Sequence, residues 1–273
     1  MRRRWLLWML AVLPVSLAGQ GTAQSSLEDL VRILRLTEVV AVMRDEGLAH
    51  GEELDRDMLD GRGGSHWESE VSGIYDAGAM LTTIRDALAA ELGPDEIAGA
   101  AAFFDTERGQ KILSLETAAR VAMADPDIEE IAKDTFFELD ISDDPRLTAT
   151  KRFVEANDLL ERNVAGTLNS NYQFLRGLVD GGLVKRPESD ILADVWAQQD
   201  DVRDDTESWL FGFLLMAYRP LDLADLDAYI AFSLTPSGRA LNAALFEGFD
   251  TMFTRISYNL GVAVAREMMS SDL

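Results

Sequence analysis

The sequence predicts an all-α protein of about eleven helices, arranged as two diverged helical repeats packed together. Three observations carry that expectation. Apolar residues recur at three- and four-residue spacing along nearly the whole chain. No segment shows convincing strand alternation or an Asn-Gly hairpin turn. A proline stands where a helix should begin at Pro94, Pro126, Pro145 and Pro236, the first-turn position at which its missing N–H costs nothing.

Taken in order, Ser26 opens a first helix with Asp29 three residues later, and Leu27, Leu30, Val31, Leu34 and Val42 line one face until Gly47 stops it. A short acidic helix over Glu52–Leu59 ends in the turn DGRGGS. A longer one runs from Trp67 to Leu92, and Pro94 starts the next with acids in its first turn, where the helix dipole favours them. Asp105 or Thr106 caps the helix that reaches Met123. DPDIEE and DDPR each open another, the second extending to Asp180 before Gly181 and Gly182. Helices then follow over 187–199, 201–219 and 222–233, with a last one from Pro236 towards Met269.

Displacing the chain by 129 residues lays 67–112 on 196–241 without a gap. Trp67 meets Trp196, Leu81 meets Leu210 and Leu92 meets Leu221, while Ala102, Phe103, Thr106 and Gly109 meet Ala231, Phe232, Thr235 and Gly238. Apolar positions correspond outside the identities, as in Ile97 with Leu226 and Ile112 with Leu241. Upstream, Gly47-Leu48 matches Gly182-Leu183 if DGRGGS is an insertion in the first copy. The expected organisation is a signal peptide over 1–23, one helical unit over 24–140 and a second over 141–273.

The repeated stretch, AFFDTERGQK and later AFSLTPSGRA, reads as a helix break and restart. Thr235 supplies the N-cap oxygen, Pro236 the first helical residue, and Gly238 falls two positions further in. Glycine inside a helix costs up to about 1 kcal/mol relative to Ala, so the position implies a close neighbour, such as another helix or the preceding Phe ring. The competing reading is an anion site on the free N–H groups, assisted by Arg108, Lys111 or Arg239. A single glycine between two helices is far from a phosphate loop, which favours the structural corner.

An aromatic residue followed by Thr, Pro, a variable residue and Gly resembles the signature of an exported bacterial helical family, domain of unknown function 2059 (DUF2059). Phe232, Thr235, Pro236 and Gly238 fit it best, and Phe103, Thr106 and Gly109 form a degenerate copy without the Pro. The resemblance implies an exported helical protein and carries over no catalytic residue.

The N-terminus supports export by itself. Arg2, Arg3 and Arg4 precede an apolar run from Trp5 to Leu13, and small residues follow, with cleavage expected after Ala23. The run is too short for a permanent span, and no Cys follows it to take a lipid. The exported chain would carry 22 basic against 48 acidic residues. Such a surface repels nucleic acid and anionic headgroups. The absence of Cys removes disulfides, thiolate ligands and thiol nucleophiles.

The chemistry-bearing residues are sparse. His50 and His66 are the only histidines, and no H-E-x-x-H helix or G-x-S-x-G elbow occurs. DRDMLDG, Asp55 to Gly61, fails the calcium-loop pattern because Gly falls one position late. The abundant carboxylates form too many pairs to be diagnostic of a glycosidase. The expectation is therefore no catalytic, cofactor-binding or metal-binding residue. The run WLFGFLLMAY (Trp209 to Tyr218) and the last helix with Phe246, Phe249, Phe253, Ile256 and Leu260 read as core. Lining a cavity between the units is the alternative for the first and a dimer face for the second. The function expected is a non-enzymatic, periplasmic or secreted protein that binds an envelope protein or an apolar ligand. The alternatives are a hydrolase with acids in an inter-unit cleft, and a structural or stress-related oligomer.

Overall fold

The computed structural model describes residues 27–140 and 143–271, so the expected signal peptide and the Ser26 cap lie outside the described residues. The described chain is 86% helical and has no strand, as the periodicity required. After a short helix over 27–33 come α1 (Leu36–Met58), α2 (Gly64–Ile74), α3 (Ala77–Glu91), α4 (Pro94–Phe104), α5 (Glu107–Met123) and α6 (Pro126–Asp140). The second half holds α7 (Pro145–Ala156), α8 (Leu159–Asp180), α9 (Glu188–Ala197), α10 (Gln199–Tyr218), α11 (Leu223–Ser233) and α12 (Pro236–Ser271). Among the described residues, no helix is long and apolar enough to cross a membrane.

The proline starts and the Thr106 cap fall as read, whereas three boundaries differ for identifiable reasons. The first helix does not stop at Gly47. It breaks earlier, at Arg35, whose backbone is left-handed (φ 54°), and then continues through Gly47 and Gly51 to Met58. Those glycines face neighbouring side chains: an added Cβ would lie 2.2 Å from the Tyr75 ring and 2.5 Å from Val71. They permit close packing of α1 on α2 and do not cap a C-terminus. The Trp67–Leu92 helix splits because Asp76 caps α3, its carboxylate accepting from Ala79 N at 2.8 Å. The helix expected from Pro145 to Asp180 splits at Asp158, left-handed at φ 52°; Asp tolerates this conformation better than most residues.

Two buried clusters form. The first joins Leu30, Trp67, Ile84 and Ile97 with Met252, Ile256 and Val264 of α12. The second joins Phe153, Phe211, Tyr218 and Leu226 with Ile112 and Ala119 of α5 and Phe136 of α6. Each core is thus closed by a helix from the other half of the chain. Ile112 and Leu241, which correspond in the 129-residue displacement, sit in opposite cores. Phe103 and Phe232 meet where the exchanged helices depart, their rings stacked at 4.4 Å and 11°. The backbone of α12 crosses α8 almost without side chains between them. A Cβ on Gly261 would lie 2.1 Å from Phe174 O, and one on Gly177 would lie 2.3 Å from Tyr258 O.

Candidate functional site

Helices α8, α10 and α12 diverge on one side of that crossing and leave a cleft of about 630 Å³. That volume falls within the range of small-molecule sites, roughly 300–1,000 Å³. The last helix contributes Leu245, Phe246, Phe249 and Phe253, and α10 contributes Val202 and Trp209. Met43 of α1, a member of the first core, and Arg120 of α5 complete the wall. Trp209 is braced by Phe213, stacked at 5.3 Å and 9°.

The placement resolves two readings of the sequence. In WLFGFLLMAY, Phe211, Leu214, Leu215 and Tyr218 are core, but Trp209 lines the cleft. In α12, Ile256 and Leu260 are core, Phe249 and Phe253 pack against that core while also lining the cleft, and Phe246 lines the cleft. The period alone could not separate these cases, because a cleft wall and a core face share helical spacing.

The polar groups are few. The Arg162 guanidinium lies 5.1 Å from the Phe246 ring centroid, a cation–π contact. Its Nε is buried and makes no hydrogen bond, with Asp158 Oδ2 3.7 Å away. Asp250 opposes Gly166, where an added Cβ would lie 3.0 Å from its Oδ1. Burial first, then the charge of Glu247, raises the Asp250 carboxyl above its ordinary value, with Arg162 acting against them. Asp205, the second carboxylate of the wall, is held by Lys133 at 2.9 Å. Arg120 is engaged by Glu46 through contacts of 2.7 and 2.9 Å. The arrangement offers an aromatic slot with one charged rim, and neither histidine lines it.

The repeated corner is a structural joint. In both corners the Thr hydroxyl donates to the Phe carbonyl, at 2.6 Å from Thr106 and 2.7 Å from Thr235, and accepts from the Gly N–H at 3.0 Å. Glycine is required because a Cβ on Gly109 would lie 2.5 Å from Phe104 Cα, and one on Gly238 2.1 Å from Phe232 O. The close neighbour is backbone rather than the Phe ring. Arg108 and Lys111 are directed to Asp225, at 2.7 and 3.9 Å. The Gly N–H of each corner is therefore satisfied within the corner itself.

One titratable group escaped the sequence reading. The Glu116 carboxyl is enclosed in the second core and accepts from the Tyr218 hydroxyl at 2.7 Å, with Tyr229 also bonded to it. Burial pushes its pKa up to about 7 despite those two donors. The sequence signal was only a Glu on an otherwise mixed helix face, and its partners lie more than a hundred residues away.

The fold and cleft define a class: an all-α chain with an aromatic slot between exchanged helices. The profile of DUF2059, described as an uncharacterized protein conserved in bacteria, matches residues 78–136. The match contains Phe103, Thr106 and Gly109, the motif without proline, and does not extend to Phe232, Thr235, Pro236 and Gly238. Neither a curated protein nor a solved structure matches the chain.

Proposed function

We propose that this protein is an exported, non-enzymatic binding protein of the cell envelope, and that the cleft between α8, α10 and α12 takes an amphipathic ligand. The observation that carries the reading is the aromatic wall of Trp209, Phe246, Phe249 and Phe253 around a space of about 630 Å³. An apolar body would remove those rings from water, at about 25 cal/mol per Å² buried. A polar end would find the Arg162 guanidinium, which lines the cleft beside the Phe246 ring. A hydrolase is less well supported, since the wall carries two carboxylates, Asp205 and Asp250, among mostly apolar groups. Export rests on the sequence features of residues 1–23.

The two halves are read as diverged copies of one unit. Shifting α4 by 129 residues lands on α11 at both ends, and the two Thr–Gly corners have the same bonds. The left-handed residues Arg35 and Asp158, which precede α1 and α8, are 123 apart. On that register the six-residue difference lies in the second half, before α10 is well established, and DGRGGS is no insertion.

Native mass spectrometry of protein purified from its own envelope fraction tests the binding reading. A co-purifying amphiphile, lost in Phe249→Ala, is the expected result. A clean apo protein across several growth conditions would overturn it.

A further inference from the structure

At the far end of α12, away from the cleft, the fold assembles a group that the sequence disperses over two hundred residues. His66 and Glu70 stand one turn apart on α2, and Glu267 approaches from α12. One ligand atom from each lies within 4.8 Å of the other two. His66 Nε2 and Glu267 Oε1 are 3.3 Å apart. That separation is the edge of a tetrahedron with metal–ligand bonds of about 2.0 Å.

We propose that His66, Glu70 and Glu267 bind a divalent transition ion, with Zn²⁺ the best fit. The imidazole argues against calcium, which takes six to eight oxygen ligands. One nitrogen and two carboxylates suit zinc, leaving a fourth position for water. The orientation of α2 is fixed independently of these residues: Trp67 is buried, and its Nε1 donates to Gly51 O at 2.8 Å. That anchor keeps the preceding residue and the one a turn later directed at α12. Arg266 Nη1 stands 3.7 Å from Glu70 Oε1 and supplies counter-charge that the cation would replace. Ser270 Oγ approaches Glu267 Oε2 at 3.4 Å, a second contact on that carboxylate. The chain's formal charge of −23 raises the local concentration of cations around all of its surface acids. Bound metal would clip α2 to the helix that closes the first core.

Titration calorimetry of the tag-free protein with Zn²⁺ alone decides the matter. The expected result is one saturable site whose affinity falls at least tenfold in His66→Ala and in Glu267→Gln, while His50→Ala stays within twofold. His66 is a largely exposed side chain, so its removal leaves the fold intact by circular dichroism. The visible absorption of bound Co²⁺ supplies a second readout, lost in the same two variants. Absence of a saturable site, or binding that survives His66→Ala unchanged, overturns the proposal.

Discussion

At Gly238 a single methyl group is enough to disturb the protein. Gly→Ala inside a helix ordinarily stabilises by up to about 1 kcal/mol. Here the new Cβ would lie 2.1 Å from a backbone oxygen, so the sign reverses. Gly238→Ala should lower Tm, at about 2–4 °C per kcal/mol for a chain of this size, and Gly109→Ala should do the same. Glu116 gives a prediction with a pH signature. Its folded pKa of about 7 lies above the ordinary carboxyl value of 4.5, so the folded state favours the neutral acid. That stabilisation is fully present below about pH 4.5 and is withdrawn as pH rises through about 7. Ionising it in place costs on the order of 3 kcal/mol, and Glu116→Gln should therefore be the more stable protein at pH 8. Chemical denaturation at the two pH values checks this, with the advantage expected to vanish near pH 4.5. The corner was legible because its Thr, Phe and Gly are local. Glu116 was not, because burial and both hydroxyl partners come from α10 and α11.

Between helices, the contact that organises the site is the bare crossing of α8 and α12. Gly261→Leu would place its side chain against Phe174 O and force the two backbones apart. The expected loss is roughly 1–3 kcal/mol, read as a lower urea midpoint. Asp76→Ala should cost about 1 kcal/mol by removing the cap of α3, again read from the denaturant midpoint. Helix starts marked by proline were legible for the same reason the Thr corner was: proline and cap residues act within one turn. The breaks at Arg35 and Asp158 were not. Gln110 explains the first, since its amide donates to Ile33 O and Phe104 O at 2.9 Å while accepting from Arg35 Nε at 3.0 Å. The group that compensates for the break is 75 residues away from it. The cleft was half legible: its aromatics were singled out, but spacing on one helix could not say whether a neighbour or solvent faced them.

For the molecule as a whole, exchange of α5 and α12 ties the two cores into one structure. Heat or urea should therefore unfold the chain in a single transition, with tryptophan fluorescence and far-ultraviolet circular dichroism coinciding. Trp67 reports on the first core and Trp209 on the cleft, so two separated transitions would show independent units. That α5 packs in the second core and α12 in the first was not readable in the sequence. Periodicity reports that a helix has a buried face and says nothing about which partner buries it.

The exchange also sets an order of events in time. A chain made from its N-terminus must finish nearly all of α12, through Ala265, before the first core can close. The earliest segments therefore wait for the latest, and their contacts have high sequence separation, which slows folding. Until then the face of Leu30, Met80 and Ile84 stays uncovered. A nascent chain in that condition is held open, and one destined to cross a membrane before folding would gain from the delay.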